Sequence, residues 1–513
     1  MAHIEPCCPS LLPETALSRC AAIRSQLRAA SLFTHPSATS LEEGGTIPRA
    51  TASWRISPCP LLLSRDQLAF FIALGPQLLS FYRALNRLYY ESVKGAQPAW
   101  VAQYLDQGKP DALVTYSRMK RFRESLPAVI RPDVIPTQDG MVITELDSVP
   151  GGIGLTAAMS RAYEDVQTIG YQPSAISADP ESSSPHRYEL VGGQDGMVRG
   201  FASMLRFTQA QHDGCVAILV SEEAKDYRPE MAWLAARLRE QGMPAWCVEP
   251  RGIRFTEEGL RLQTDSGEQA VGSIYRFFEL FDLPNIPKAE LVQYAAKKNW
   301  MAVTPPYKPA LEEKSAFALL HHPVLRPYWK KELGEDCFLH LTTIMPRTWI
   351  LDPATLPPTA TIPGLCLGER AVANWADLAT ATQKERHFVI KPSGFSELAW
   401  GSRGVSIGHD MPQQEWAAAL QKALASFPAT PYILQEFHKG RLFDMDYMDE
   451  GAQTMVPMAG RARLSPYYFV TGETVELAGI LATICPADKK IIHGMKDAIM
   501  APCAIARDAS AEC

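Results

Sequence analysis

The spacing of apolar residues divides the chain into helical and strand-forming stretches. From about 66 to 106, Leu68, Phe71 and Ile72, then Leu78, Leu79, Tyr82, Leu85 and Leu88, recur at three and four, the spacing of a buried helix face. Gly75-Pro76 interrupts this run and predicts a break, with a new helix opening at the proline. Residues 128 to 147 alternate instead, as two strands around the turn dipeptide Asp139-Gly140. Val149-Pro150-Gly151-Gly152 then forms a small-residue loop into a helix from about 155, and 165 to 190 is polar and rich in Pro and Ser, as a surface loop is.

A strand–helix–strand rhythm follows: Cys215–Val220, a helix from Met231 to Gln241 closed by Gly242, Ala245–Val248 and Ser273–Phe278. That rhythm predicts a doubly wound, Rossmann-like lobe. No GxGxxG follows its first strand, so a dinucleotide role is not expected. Beyond it the pattern predicts a helix over 311–320, strands at 348–351, 387–391 and 432–435, and a helix over 413–427. A hairpin over 461–484, turning at Gly472-Glu473, ends the series. The divisions are a leader over 1–55 that is partly helical or disordered, a helical segment with carboxylate-bearing strands over 56–170, and a linker over 171–190. The Rossmann-like lobe over 191–305 and a C-terminal region over 306–513 complete an α/β chain.

The 513 residues exceed what one core organises. The balance of 50 basic against 56 acidic residues gives a net charge of −6, so no nucleic-acid partner is expected. Eleven cysteines without a CxxC pair point to buried thiols in a reducing compartment. No basic, apolar leader and no run of about 18 apolar residues is present, so the expectation is a cytoplasmic protein with no membrane partner.

Three clusters carry chemistry. His387-Phe-Val-Ile-Lys391-Pro392 ends a hydrophobic strand in a lysine, and Ser393, Gly394, Gly401, Ser402, Arg403 and Gly404 mark the loop that follows. Backbone N–H groups of such a loop can close over phosphates, with Lys391 and Arg403 adding positive charge. An ordinary hairpin has the same composition, so the loop gains weight from a second strand end, Gln435-Glu436, suited to meet an adenine edge and a ribose. The third cluster lies far upstream. Glu145 and Asp147 are two apart on a strand and so share a face, and the Asp139-Gly140 turn brings Asp133 toward it. Carboxylates that converge need a cation, and Mg²⁺ is held in this way together with substrate phosphates.

These parts resemble the ATP-grasp superfamily, and their order resembles its circularly permuted branch, which includes glutathionylspermidine synthetase: the carboxylate strand precedes Lys391 instead of following it. The resemblance covers roughly 65 to 505 and implies an ATP-grasp fold with a Rossmann-like pre-ATP-grasp lobe. It implies Mg²⁺ on Asp133, Glu145 and Asp147, the last standing where the family has Asn. It implies ATP on Lys391, Lys314, the 393–404 loop, Gln435 and Glu436, with Arg131 and Arg403 as catalytic cations. Lys314 stands in Glu-Lys-Ser where the family has Asn-Lys, and Leu481-Ala482-Thr483 replaces an expected Arg, for which Arg461 or Arg463 is the substitute. Tyr275-Arg276-Phe277 is expected to face the substrate, and Lys489, Lys490 and His493 to touch an anionic one. The implied activity is a ligase that activates a small-molecule carboxylate as an acylphosphate and passes it to a small-molecule amine. Two alternatives stay open: a non-catalytic nucleotide-binding or interaction protein that kept this fold, and an oxidoreductase on the 215–280 unit.

Overall fold

The computed structural model describes residues 11–33, 54–147, 149–169, 188–489, 491–492 and 497–507. Most of the expected leader, most of the 171–190 linker, Lys490 and His493 lie outside them. Part of the leader is described. Pro13–Ala29 is a helix that buries Cys20, Ile23 and Leu27 in the main core.

The largest sheet draws on both ends of the chain. Its strands run in the order Leu61–Leu63, Ile499–Ala506, Thr474–Pro486, Thr454–Thr471, Val129–Pro136, Met141–Asp147. Leu442–Asp449 and Tyr188–Leu190 pair onto it. The expected hairpin at Gly472-Glu473 is the long pair in its middle. The early hairpin around Asp139-Gly140 forms its edge, antiparallel, with Arg131 opposite Asp147 and Asp133 opposite Glu145.

Helix Arg65–Val93 starts at a capping box, in which Ser64 and Gln67 satisfy each other's backbone N–H groups. It passes through Gly75-Pro76 without a break, against the sequence expectation. Packing explains this. A side chain at Gly75 would stand 2.8 Å from the Tyr468 ring, so the helix is seated directly on the long hairpin. Burial of Phe71, Leu74 and Leu78 there outweighs the hydrogen bond that Pro76 removes. Among the described residues this is the one helix long and apolar enough to cross a membrane, and half of that apolar stretch is buried inside the fold.

A second sheet runs Ala245–Val248, Cys215–Val220, Gly267–Phe277 and Ala302–Thr304 in parallel. An antiparallel hairpin, Ile253–Thr256 and Gly259–Thr264, extends the third of these strands. The third sheet is antiparallel, in the order Thr348–Ile350, Tyr432–Glu436, Phe388–Pro392, Ser406–Ile407. Helix Gln413–Ala425 packs on it through the buried Trp416. The helix expected from Leu311 begins at Ala316, after a short 3-10 turn Pro309–Leu311. The connector between them carries Glu312, Glu313 and Lys314.

Among the described residues Cys20, Cys215, Cys247, Cys337 and Cys366 are free thiols. Cys59 is disulfide-bonded, which departs from the expectation of unpaired thiols throughout.

Candidate functional site

The edge hairpin of the large sheet turns its charged residues toward the third sheet. Lys391, on the central strand of that sheet, donates to the Thr144 carbonyl at 3.0 Å and to the Gln435 side-chain oxygen at 2.8 Å. Gln435 in turn donates to the Thr348 hydroxyl at 3.2 Å. Lys314, from the 312–315 connector, donates to Glu145. Thr144, Glu145, Glu313, Lys314, Ile433 and Gln435 line one cavity. Segments separated by some 170 to 290 positions therefore meet at one place, as the sequence reading requires. Burial pushes the Lys391 ammonium down to about 8, against the pull of Glu145.

The carboxylates each have a cationic partner. Asp133 accepts from Arg463 at 3.1 Å and from the Ser465 hydroxyl at 3.1 Å. Burial alone would raise its carboxyl, but Arg463 and Arg131 hold it below the usual carboxylate range. Asp147 accepts from Arg131 at 2.8 Å and from the Val149 N–H at 2.9 Å. Burial, with Glu145 close by, still keeps its carboxyl above the usual range. Of the two substitutes named for the missing Arg, Arg463 reaches the site, whereas Arg461 donates to the Gly440 carbonyl.

The loop after the edge hairpin is pinned from three sides. Arg131 and the Tyr467 hydroxyl both donate to the Gly151 carbonyl, at 3.1 and 2.8 Å. Glu230, from helix Arg228–Glu240, accepts the N–H groups of Gly152 at 2.8 Å and Leu155 at 2.9 Å. A carboxylate thus caps the first turn of helix Ile153–Asp165 from another element, where a negative charge is favoured.

The Gly/Ser loop is anchored at its start. Ser393 donates to Glu313 at 2.6 Å, and Glu313 pairs with Lys109 at 2.5 Å, with both charged side chains at 0–1% exposure. Gly394 lies so close to the connector that a side chain there would sit 2.0 Å from the Glu312 carbonyl oxygen. Gly404 closes the loop base against Pro392, and Gly401 adopts φ +59, a glycine conformation. Arg403 stands at the surface, 3.8 Å from Glu223, away from the lysines. Glu436 ends its strand with its N–H on the Arg347 carbonyl, outside these contacts. The side chain of Ser402 lies outside the described parts.

Several residues of the site were not singled out by the sequence. Lys109 and Glu313 are one example. Glu279 is another: burial, then the Glu312 and Asp147 carboxylates, holds its carboxyl well above the usual range. Its one local signal is a charge directly after the apolar strand Gly267–Phe277. Arg276, expected to face a substrate, is instead fully buried on Glu312 and the Phe278 and Pro305 carbonyls.

No family model and no curated protein matches the sequence. Solved structures do match. A glutathione synthetase-like effector from Globodera pallida, in its apo form, aligns with a TM-score of 0.55 at 13% identity, over 97% of this chain and 98% of that one. A structure described as a gamma-glutamylcysteine synthetase from Methylobacillus flagellatus aligns at 10% identity and a TM-score of 0.37, over 88% of this chain and 92% of that one, too remote to add to the comparison. The likeness to the first is one of fold, a mixed α/β architecture shared along nearly the whole chain.

Proposed function

We propose that this chain is an ATP- and Mg²⁺-dependent ligase that joins a small-molecule carboxylate to an amine, on a circularly permuted ATP-grasp fold similar to glutathionylspermidine synthetase. The observation that carries this reading is the meeting of the carboxylate hairpin with two lysines and a Gly/Ser loop, through Lys314 on Glu145 and Lys391 on the Thr144 carbonyl. The free thiols of Cys20, Cys215, Cys247, Cys337 and Cys366 suit a reducing, cytoplasmic setting, and the disulfide-bonded Cys59 departs from it.

The residues present fit a hard cation by donor chemistry: three carboxylates on one hairpin, with Asp133 and Glu145 opposite in register. Among the described residues, no three acids, histidines or cysteines already surround an ion position. Arg463, Lys314 and Arg131 balance the three charges instead. Asp133, Glu145 and Asp147 would hold the metal, which supplies charge neutralisation to the nucleotide phosphates.

The chain's own residues then align two anions. Lys391 and Lys314 bind phosphate oxygens, and Lys314 exchanges Glu145 for phosphate, which frees that carboxylate. A substrate carboxylate oxygen attacks the γ-phosphorus as the bond to ADP breaks. The amine then attacks the acyl carbon and phosphate leaves. Arg131, fixed by Asp147 and the Gly151 carbonyl, steadies the anion in transfer.

The test is ADP release with Mg-ATP across paired acids and amines. The expected result is release that needs both members of one pair. Mg-ATP binding with no release for any pair would sink the ligase reading in favour of a non-catalytic nucleotide-binding protein. Two observations favour that second reading: every carboxylate is already neutralised by a protein cation, and Leu481-Ala482-Thr483 stands where an Arg is expected.

A further inference from the structure

A second cavity lies away from the carboxylates and lysines. It is a cleft of about 780 Å³ between helix Arg65–Val93, the 302–307 segment that begins with the Ala302–Thr304 strand of the second sheet, and the turn of the long hairpin. Its size and its place between packed units are those of small-molecule sites. None of the residues assigned above to nucleotide, metal or catalysis lines it.

Its rim is cationic beyond what its carboxylates balance. Arg83 and Arg87 are paired, with Glu473 and Glu332. Among the described residues Arg121 is not paired with an acid: it donates to the Lys297 carbonyl at 2.6 Å and the Asn299 side-chain oxygen at 2.5 Å, both neutral. Among the same residues the acid partner of Arg123 is Glu124, at 3.5 Å and 86% exposed, a pair of little strength in water. Behind this wall the buried Lys308 ammonium rests on the Asn86 amide and on the Arg123 and Ser125 carbonyls, each at 3.0 Å. Burial pushes it down to about 7, opposed by Glu124, so an added negative charge nearby would be favourable.

The interior supplies an independent observation. Thr304 Oγ1 and Tyr307 Oη are buried and have no hydrogen-bond partner among the described residues, and both residues line this cleft. Buried hydroxyls are nearly always satisfied, so two unsatisfied ones beneath the wall of a single cavity mark where a turn of the side chain would present polar groups to a ligand. Tyr116 and Phe122, stacked at 4.8 Å, add an apolar wall.

We propose that this cleft binds a small organic anion through phosphate or carboxylate groups, held by Arg121 and Arg123 at the rim, with the Thr304 and Tyr307 hydroxyls turning toward it from the wall. The proposal does not depend on the ligase reading. It is tested by calorimetric titration of the full chain with inorganic pyrophosphate and, separately, with citrate. The expected result is saturable binding of at least one probe, weakened about tenfold or more by Arg121→Gln and by Arg123→Gln, with one binding event unchanged in Lys391→Ala. Preference for pyrophosphate identifies a phosphate ligand, and preference for citrate a carboxylate one. Should Arg121→Gln fail to fold, Arg123→Gln carries the test, since its side chain is 48% exposed. The proposal is overturned by the lack of saturable binding of either probe, or by binding that survives both arginine changes.

Discussion

Lys314 donates to the Glu145 carboxylate across 169 positions of sequence. A lysine proposed to bind the nucleotide phosphates and a carboxylate proposed to hold the metal beside them therefore hold each other in their place. The pair is a charge-balanced resting arrangement, and each partner has a different task once phosphates arrive. Glu145→Gln is expected to cut ADP release about a hundredfold or more, the scale of one lost transition-state charge contact. The exchange variant Glu145→Lys with Lys314→Glu restores the ion pair and should restore stability without restoring turnover. Thermal midpoints and coupled ADP release on the same samples separate the two roles. Wild-type turnover in Glu145→Gln would remove this residue from the chemistry.

Lys109 and Glu313 make a different kind of pair. With both side chains out of solvent, removing one charge leaves the other buried and uncompensated. Lys109→Met is expected to cost about 3–5 kcal/mol, and Lys109→Met with Glu313→Leu to recover most of it. Urea midpoints of the two variants decide the matter. Because Ser393 also rests on Glu313, the single variant should weaken ATP binding, read by calorimetry, as the loop start loses its anchor.

The parts of this site that sequence made legible are those governed by local rules. Asp139-Gly140 sets the register of a two-strand ribbon as far as Val134 opposite Ile143, whereas the pairing of Asp133 with Glu145 rests on a register shift after Val134 that counting back from the turn does not give. Gly472-Glu473 does the same for the long hairpin. What was illegible depends on partners remote in sequence. Gly75-Pro76 reads as a break because only the fold brings Tyr468 against Gly75. The sequence predicts a helix from Leu311, yet the connector with the charges Glu312, Glu313 and Lys314 lies outside the helix that begins at Ala316. Only their burial against Lys109, Ser393 and Arg276 shows why 312–315 leaves the helix. Arg403 shows the opposite failure: its loop suggested a phosphate contact, and the structure sets it beside Glu223 at the surface.

Glu230 makes stability depend on pH. Burial raises its carboxyl from 4.5 to about 7, despite the N–H groups of Gly152 and Leu155 that favour its charged form. The folded protein therefore holds this proton more tightly than the unfolded chain. The resulting stability is fully present below pH 4.5 and is lost as pH rises through about 7, a loss on the order of 3 kcal/mol. Glu230→Gln keeps the size and one acceptor but does not titrate. Its stability should change less across that interval than that of the wild type, as read from urea midpoints at a series of pH values. Parallel profiles for the two proteins would show that Glu230 does not titrate there.

Gly394 tests whether the loop and the connector act as one unit. The place of its missing side chain is 2.0 Å from the Glu312 carbonyl oxygen, and backbone cannot yield as a side-chain end can. Gly394→Ala must therefore push the loop start and the 312–314 segment apart, and that segment carries Lys314. Two lysines are then displaced relative to each other by one methyl group that touches neither. The expected outcome is a fall in kcat of about a hundredfold, since displacements near 1 Å have that effect on aligned reactants. Overall stability should fall less than in Lys109→Met, because no charge is left buried. The control is Gly140→Ala, at a glycine with open space around it. That variant is strained by its positive φ, +145, but its methyl group meets no neighbour to displace, so it should lose stability while keeping turnover. Equal turnover in Gly394→Ala and the wild type would mean that the loop start and Lys314 move independently.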